Sequence, residues 1–182
     1  MSKLLLLAVA VSGLFAADPL ADSAQKKLDS ISDRKLKPGA VVALSPGEIN
    51  AWIHQKAVKA FPEGIRNERV ELGPGTTDGT ALVDLMKLGK SNINSLIARL
   101  VEGERPLKVS IRVESANGRA TVFLTRAELS GVAVDGSILD FLIKHFVQPR
   151  YPDMKINEPF DLDFNMDHIE IQPSGVRVFI KK

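Results

Sequence analysis

The stretch from Leu107 to Leu124 leaves the chain little choice of structure. Leu107, Val109, Ile111 and Val113 alternate with Lys108, Ser110, Arg112 and Glu114, the period of a half-buried strand. Asn117-Gly118 follows, the preferred two-residue hairpin turn. Folding about it pairs Val113 with Val122 and Ile111 with Leu124 on one face. The same register brings Arg126 opposite Val109, so a bulge or twist is expected there. A hairpin of this kind has one apolar face that must be covered, and the rest of the chain supplies the cover.

Three segments read as helices. Ser45-Pro46-Gly47-Glu48 is a capping box with proline at the first helical position, and Ile49, Trp52, Ile53, Ala57 and Ala60 continue one face. A second helix is expected from Ser91, with Ile93, Leu96, Ile97, Leu100 and Val101 as its stripe. A third is expected from Ser137 to Val147. A hairpin follows each. In the first, Val70–Leu72 leads through a loop at Gly73-Pro74-Gly75 and Asp78-Gly79 to Thr80–Met86. In the last, a Ser174-Gly175 turn pairs Ile171 with Val178 and Ile169 with Ile180. The fold class is therefore α+β: a curved antiparallel sheet built from hairpins and wrapped around amphipathic helices, in the order helix–hairpin three times.

The ends carry location. Residues 1–17 read as a secretory signal peptide: Lys3, then an apolar run from Leu4 to Val11 extended by Leu14 and Phe15, then Ala16-Ala17 before Asp18. The rival is an uncleaved N-terminal anchor, for which the apolar run is short. Residues 18–39 form a charged N-terminal arm, partly helical through Leu20, Ala24, Leu28 and Ile31, and read as a solvated helix or spacer, with a membrane-surface patch as the alternative. Residues 40–182 form a single domain. The expected address is periplasmic or secreted.

Composition removes several chemistries. There is no cysteine, which excludes disulfides, thiolate metal sites and cysteine catalysis. Twenty-four Lys and Arg against 22 Asp and Glu leave a net charge of +2, with no basic face for nucleic acid. His54, His145 and His168 lack metal-ligand spacing, and no H-E-x-x-H, G-x-S-x-G or phosphate-loop motif is present. Asp161, Asp163, Asn165 and Asp167 have the odd-position spacing of a calcium loop. Its sixth and twelfth positions hold Met166 and Gln172, where glycine and glutamate are required. Leu162, Phe164 and Met166 interleave with these residues as in an amphipathic strand. The parity shift to Ile169 and Ile171 then calls for a bulge near Asp167-His168. The expectation is a non-catalytic protein without cofactor or metal.

The third helix points to function. Its apolar residues span far more than the roughly 100° stripe that covering a sheet requires, leaving Asp140 and Lys144 as its polar strip. It is read either as a central core helix or as one that touches sheet on one side and an apolar ligand on the other.

LSPGEINAWI (44–53), VAVDGSILDFLIKHF (132–146), MKINEPFDLDF (154–164) and IEIQPSGVRVFI (169–180) together resemble the YpmS-like and LmeA-like branches of the TULIP-type bacterial extracytoplasmic lipid-binding proteins. The resemblance covers about residues 41–180. It implies a strongly curved sheet around a long helix, no catalytic residues, and an apolar groove for acyl chains. Groove candidates by position are Ile49, Trp52 and Ile53 on the first helix and Leu139, Leu142, Ile143 and Phe146 on the third. Lys144 and Arg150 are candidates for secondary head-group contacts. YpmS-type proteins are tethered, whereas this leader reads as cleavable, which favours a soluble carrier. The expected partners are a lipid or acyl-chain ligand and an envelope membrane or protein, with no nucleic acid. The alternatives are an envelope interaction or assembly module with a filled core and, more remotely, a hydrolase.

Overall fold

The computed structural model describes residues 18–60, 64–88, 102–136, 139–140, 143–144 and 156–182. The expected leader, the helix from Ser91 and most of the helix from Ser137 lie outside the described residues. Every strand pair is antiparallel and the class is α+β. The hairpins are divided between two uncurled sheets, where a single curved one was expected.

The smaller sheet has the order β1-β9-β8, from β1 (Val41–Leu44), β8 (Met166–Gln172) and β9 (Gly175–Ile180). Helix α1 (Pro19–Ser32) covers one face of it. Ile31 packs with Val42, Val178 and Ile180, flanked by Leu28, Ile169 and Val176. Ala21 and Ala24 are fully buried. The N-terminal arm is thus an integral core element and not a solvated spacer: its apolar stripe has found a sheet to cover.

Helix α2 (Pro46–Ala60) starts as its sequence dictates. Ser45 Oγ accepts from Glu48 N at 3.2 Å and Glu48 Oε2 accepts from Ser45 N at 2.8 Å, the reciprocal pair of a capping box. The helix then runs beside β2 (Ile65–Gly73), the edge strand of the larger sheet. There Asn50 acts as a substitute strand. Its Oδ1 accepts from Val70 N at 2.7 Å and its Nδ2 donates to Val70 O at 2.9 Å, closing part of an edge that would otherwise invite pairing.

The larger sheet has the order β2-β3-β4-β5-β6, with β3 (Thr76–Asp84), β4 (Glu104–Ala116), β5 (Arg119–Leu129) and β6 (Val132–Ala133). β7 (Pro159–Asp161) pairs with β5. The central hairpin has the expected register, Val113 opposite Val122 and Ile111 opposite Leu124. Asn117 and Gly118 both have positive φ, 52° and 76°, as their turn requires. The expected bulge is present: Ser110 pairs with Arg126 and Ile111 with Leu124, leaving Thr125 as the extra residue. This puts Ala127 opposite Val109 and turns Arg126 to the polar face.

Three local expectations are corrected. In the first hairpin, Gly73 pairs with Thr76 about Pro74-Gly75, so Asp78-Gly79 lies inside β3 and not in a loop. β3 stops at Asp84, whose Oδ1 accepts from Met86 N and Lys87 N, both at 3.2 Å, and so caps the short helix α3 (Leu85–Leu88). In the last hairpin Gln172 pairs with Gly175 about Pro173-Ser174, moving the register by two: Ile169 faces Val178 and Ile171 faces Val176. Faces survive a shift of two, so the apolar set still points at α1. Asp161 to Met166 is no continuous strand, since Phe164 and Asn165 turn with positive φ between β7 and β8. The bulge at Asp167-His168 is found as expected, between Met166 and His168.

Candidate binding site

Alternation gives the larger sheet one polar and one apolar face. On the polar face Arg66 pairs with Glu104, Arg69 with Glu71, Arg112 with Glu114 and Arg126 with Glu128. The apolar face carries Val70 and Leu72 from β2, then Leu107, Val109, Ile111 and Val113 from β4, and Val122 and Leu124 from β5.

That apolar face is unevenly covered. At one end Val83, Leu85, Ala127, Leu129 and Val134 form a buried cluster, with Ile65, Ala81, Leu107, Leu124 and Leu139 packed against it. Val109, Ile111, Val113 and Val122 continue the same face, are only half-buried, and belong to neither buried cluster among the described residues. They form the candidate surface.

Two charged residues share this face. Arg105 lies two residues before Leu107, opposite Val83, which is 2% exposed. Its Nε is buried with no hydrogen-bond partner, and among the described residues no carboxylate pairs with it. Glu68 follows a bulge in β2 at Asn67, which has a φ of 54°. Its Oε1 is held by His54 Nδ1 from α2, while Oε2 is buried without a partner. An unpaired polar atom in an apolar setting costs of order 1–3 kcal/mol, so both atoms mark places where the fold is not self-sufficient.

The expected groove residues are partly brought together. Leu139 joins the buried cluster of the larger sheet and Ile143 is half-buried. Leu142, Phe146 and Arg150 lie outside the described residues, and Lys144 is exposed. Ile49, Trp52 and Ile53 are half-buried on α2 and belong to neither cluster among the described residues. Trp52 is engaged with α1: its Nε1 donates to Gln25 Oε1 at 2.9 Å, and Lys56 Nζ lies 5.4 Å from its ring centroid. Sequence reading missed Arg105 and Glu68. For Arg105 the signal was there, since strict alternation two residues before Leu107 puts it on the apolar face. For Glu68 the bulge at Asn67 hid the parity.

A concavity of about 480 Å³ lies where α1 and α2 meet the smaller sheet, bordered by Lys27, Ser45, Glu48, Gln172, Ser174 and Arg177. Its cations are already taken, Lys27 by Glu48 at 2.6 Å and Arg177 by Glu170. His168 Nδ1 lies 2.6 Å from Asp167 Oδ2, and its ring stacks on Phe179 at 4.2 Å. No cluster of three metal-ligating side chains occurs among the described residues, and no described helix is long and apolar enough to cross a membrane. Comparison with family models, with curated proteins and with solved structures found no match to this chain.

Proposed function

We propose that the protein is a non-catalytic, extracytoplasmic binding protein for a lipid or another hydrophobic ligand, held on the apolar face of its larger sheet. The observation that carries this reading is the row Val109, Ile111, Val113 and Val122, which extends an apolar face beyond the cluster that buries its other end. Desolvating an acyl chain on such a row yields about 0.8 kcal/mol per buried CH₂, enough for affinity without any specific polar contact. The TULIP-like arrangement, with helices laid against the apolar side of antiparallel sheet, belongs to the same proposal, as do the cleaved leader at 1–17 and a periplasmic or secreted address. The packing of α1 and α3 on apolar sheet surface is compatible with it.

Native mass spectrometry of the protein purified from the extracytoplasmic fraction, followed by organic extraction, tests this reading. A stoichiometric adduct that moves into solvent is expected. A bare protein mass, together with no uptake of a fluorescent fatty acid on titration, would overturn it and leave an interaction module with a filled core.

A further inference from the structure

We propose that the ligand is a long-chain amphiphile with a single anionic head, and that Arg105 receives the head. This rests on the binding reading above and adds the ligand's chemistry. The arginines of the sheet's polar face each hold a carboxylate from the chain itself. Arg105 alone of the β4 and β5 arginines lies on the apolar face, and among the described residues it has no carboxylate. A buried guanidinium Nε without a partner is costly, and an oxyanion that reaches it removes that cost by accepting from it.

The tail has a place in line with the head. Arg105, Leu107, Val109, Ile111 and Val113 follow one another on a single face of β4, with Val122 beside Val113. At about 3.4 Å per residue that row runs roughly 27 Å. One leaflet of a bilayer core, half of about 30 Å, is about 15 Å deep, so a leaflet-length tail headed at Arg105 runs past Leu107 to Val109, and a longer chain is needed to reach Ile111 and Val113. Glu68, the other charge on this face, is two strands away on β2 and is engaged by His54, so it does not compete for the same position.

The test uses calorimetric titration of the full folded protein at pH 8 with dodecanoate, dodecyl phosphate, dodecanol and sodium acetate. Dodecanoate and dodecyl phosphate are expected to bind at least about tenfold more tightly than dodecanol, the value of one charge-assisted contact, and acetate not at all. Arg105→Met keeps the aliphatic stem and is expected to bind all three amphiphiles with the affinity of dodecanol; Arg105→Lys is expected to recover part of the preference. Equal affinity of the unaltered protein for dodecanoate and dodecanol would overturn the head assignment while the hydrophobic reading stood. A preference retained in Arg105→Met would move the head elsewhere and also overturn it. Binding of acetate as tight as that of dodecanoate would make the site one for free anions and remove the tail. No binding of any amphiphile would bring down both readings.

Discussion

Glu48 does three jobs with one carboxylate. It closes the capping box of α2, accepts from Ser23 Oγ at 2.6 Å, and lies 2.6 Å from Lys27 Nζ, so it also fastens α2 to α1. Lys27 first, then Ser23 and the Ser45 amide, hold its pKa down from 4.5 to about 2. A carboxylate depressed by folding stabilises the fold fully above its unfolded pKa, and that stability is lost as pH falls through the folded one. Here the window runs from 4.5 down to about 2. Glu48→Gln is expected to lose about 1–2 kcal/mol in denaturant unfolding at pH 7, and to show a flatter fall in stability than the parent across that window. An unchanged pH profile would contradict the account. The capping role was legible because its partner lies three residues away. The grip on α1 was not, because Ser23 and Lys27 are remote in sequence and ordinary in type.

At the scale of elements, the central hairpin was the most legible part of the chain. The conflict between Arg126 and Val109 demanded an extra residue, and Thr125 supplies it. Deleting Thr125 makes Arg126 follow Leu124 directly, opposite Ser110, so the bulge disappears while Ala127 and the fully buried Leu129 keep their inward faces. Cooperative thermal unfolding is expected to persist, with a loss of about 1–3 kcal/mol for the altered strand geometry and the missing hydroxyl bond. Thr125→Val keeps the bulge and loses only the hydroxyl's bond to Ser110 O at 2.9 Å, so about 1 kcal/mol is expected there. Calorimetry on both variants separates the two effects. The closing hairpin was misread for a physical reason. Gly175 looked like turn chemistry, yet it lies in β9 at a φ of 144°, where an added Cβ would come within 2.3 Å of Leu44 O. The glycine permits β1 to approach, and the turn falls one residue earlier.

At the scale of the molecule, the two sheets meet along a polar seam. Ser115 Oγ donates to Ile169 O at 2.9 Å and accepts from Ile169 N at 2.8 Å. Gly75 N donates to Ile171 O and Gly118 N to Asp167 O, at 2.9 and 2.7 Å. β8 thereby continues the sheet past the tips of the first two hairpins. None of this is written in hydrophobic periodicity: it depends on a serine hydroxyl and glycine amides meeting residues 49 or more positions away, which is why one sheet was expected and two were found. The apolar row of β4 was legible residue by residue, whereas its uneven cover, and with it the candidate site, is a property of the assembled fold. Methyl NMR of the protein titrated with a nitroxide-labelled stearate tests the central claim most directly. The account predicts that the methyl signals of Val109, Ile111, Val113 and Val122 broaden strongly while those of Ile31 on α1 and Val42 beneath it stay sharp. Equal broadening of both sets, or none in the first, would contradict it.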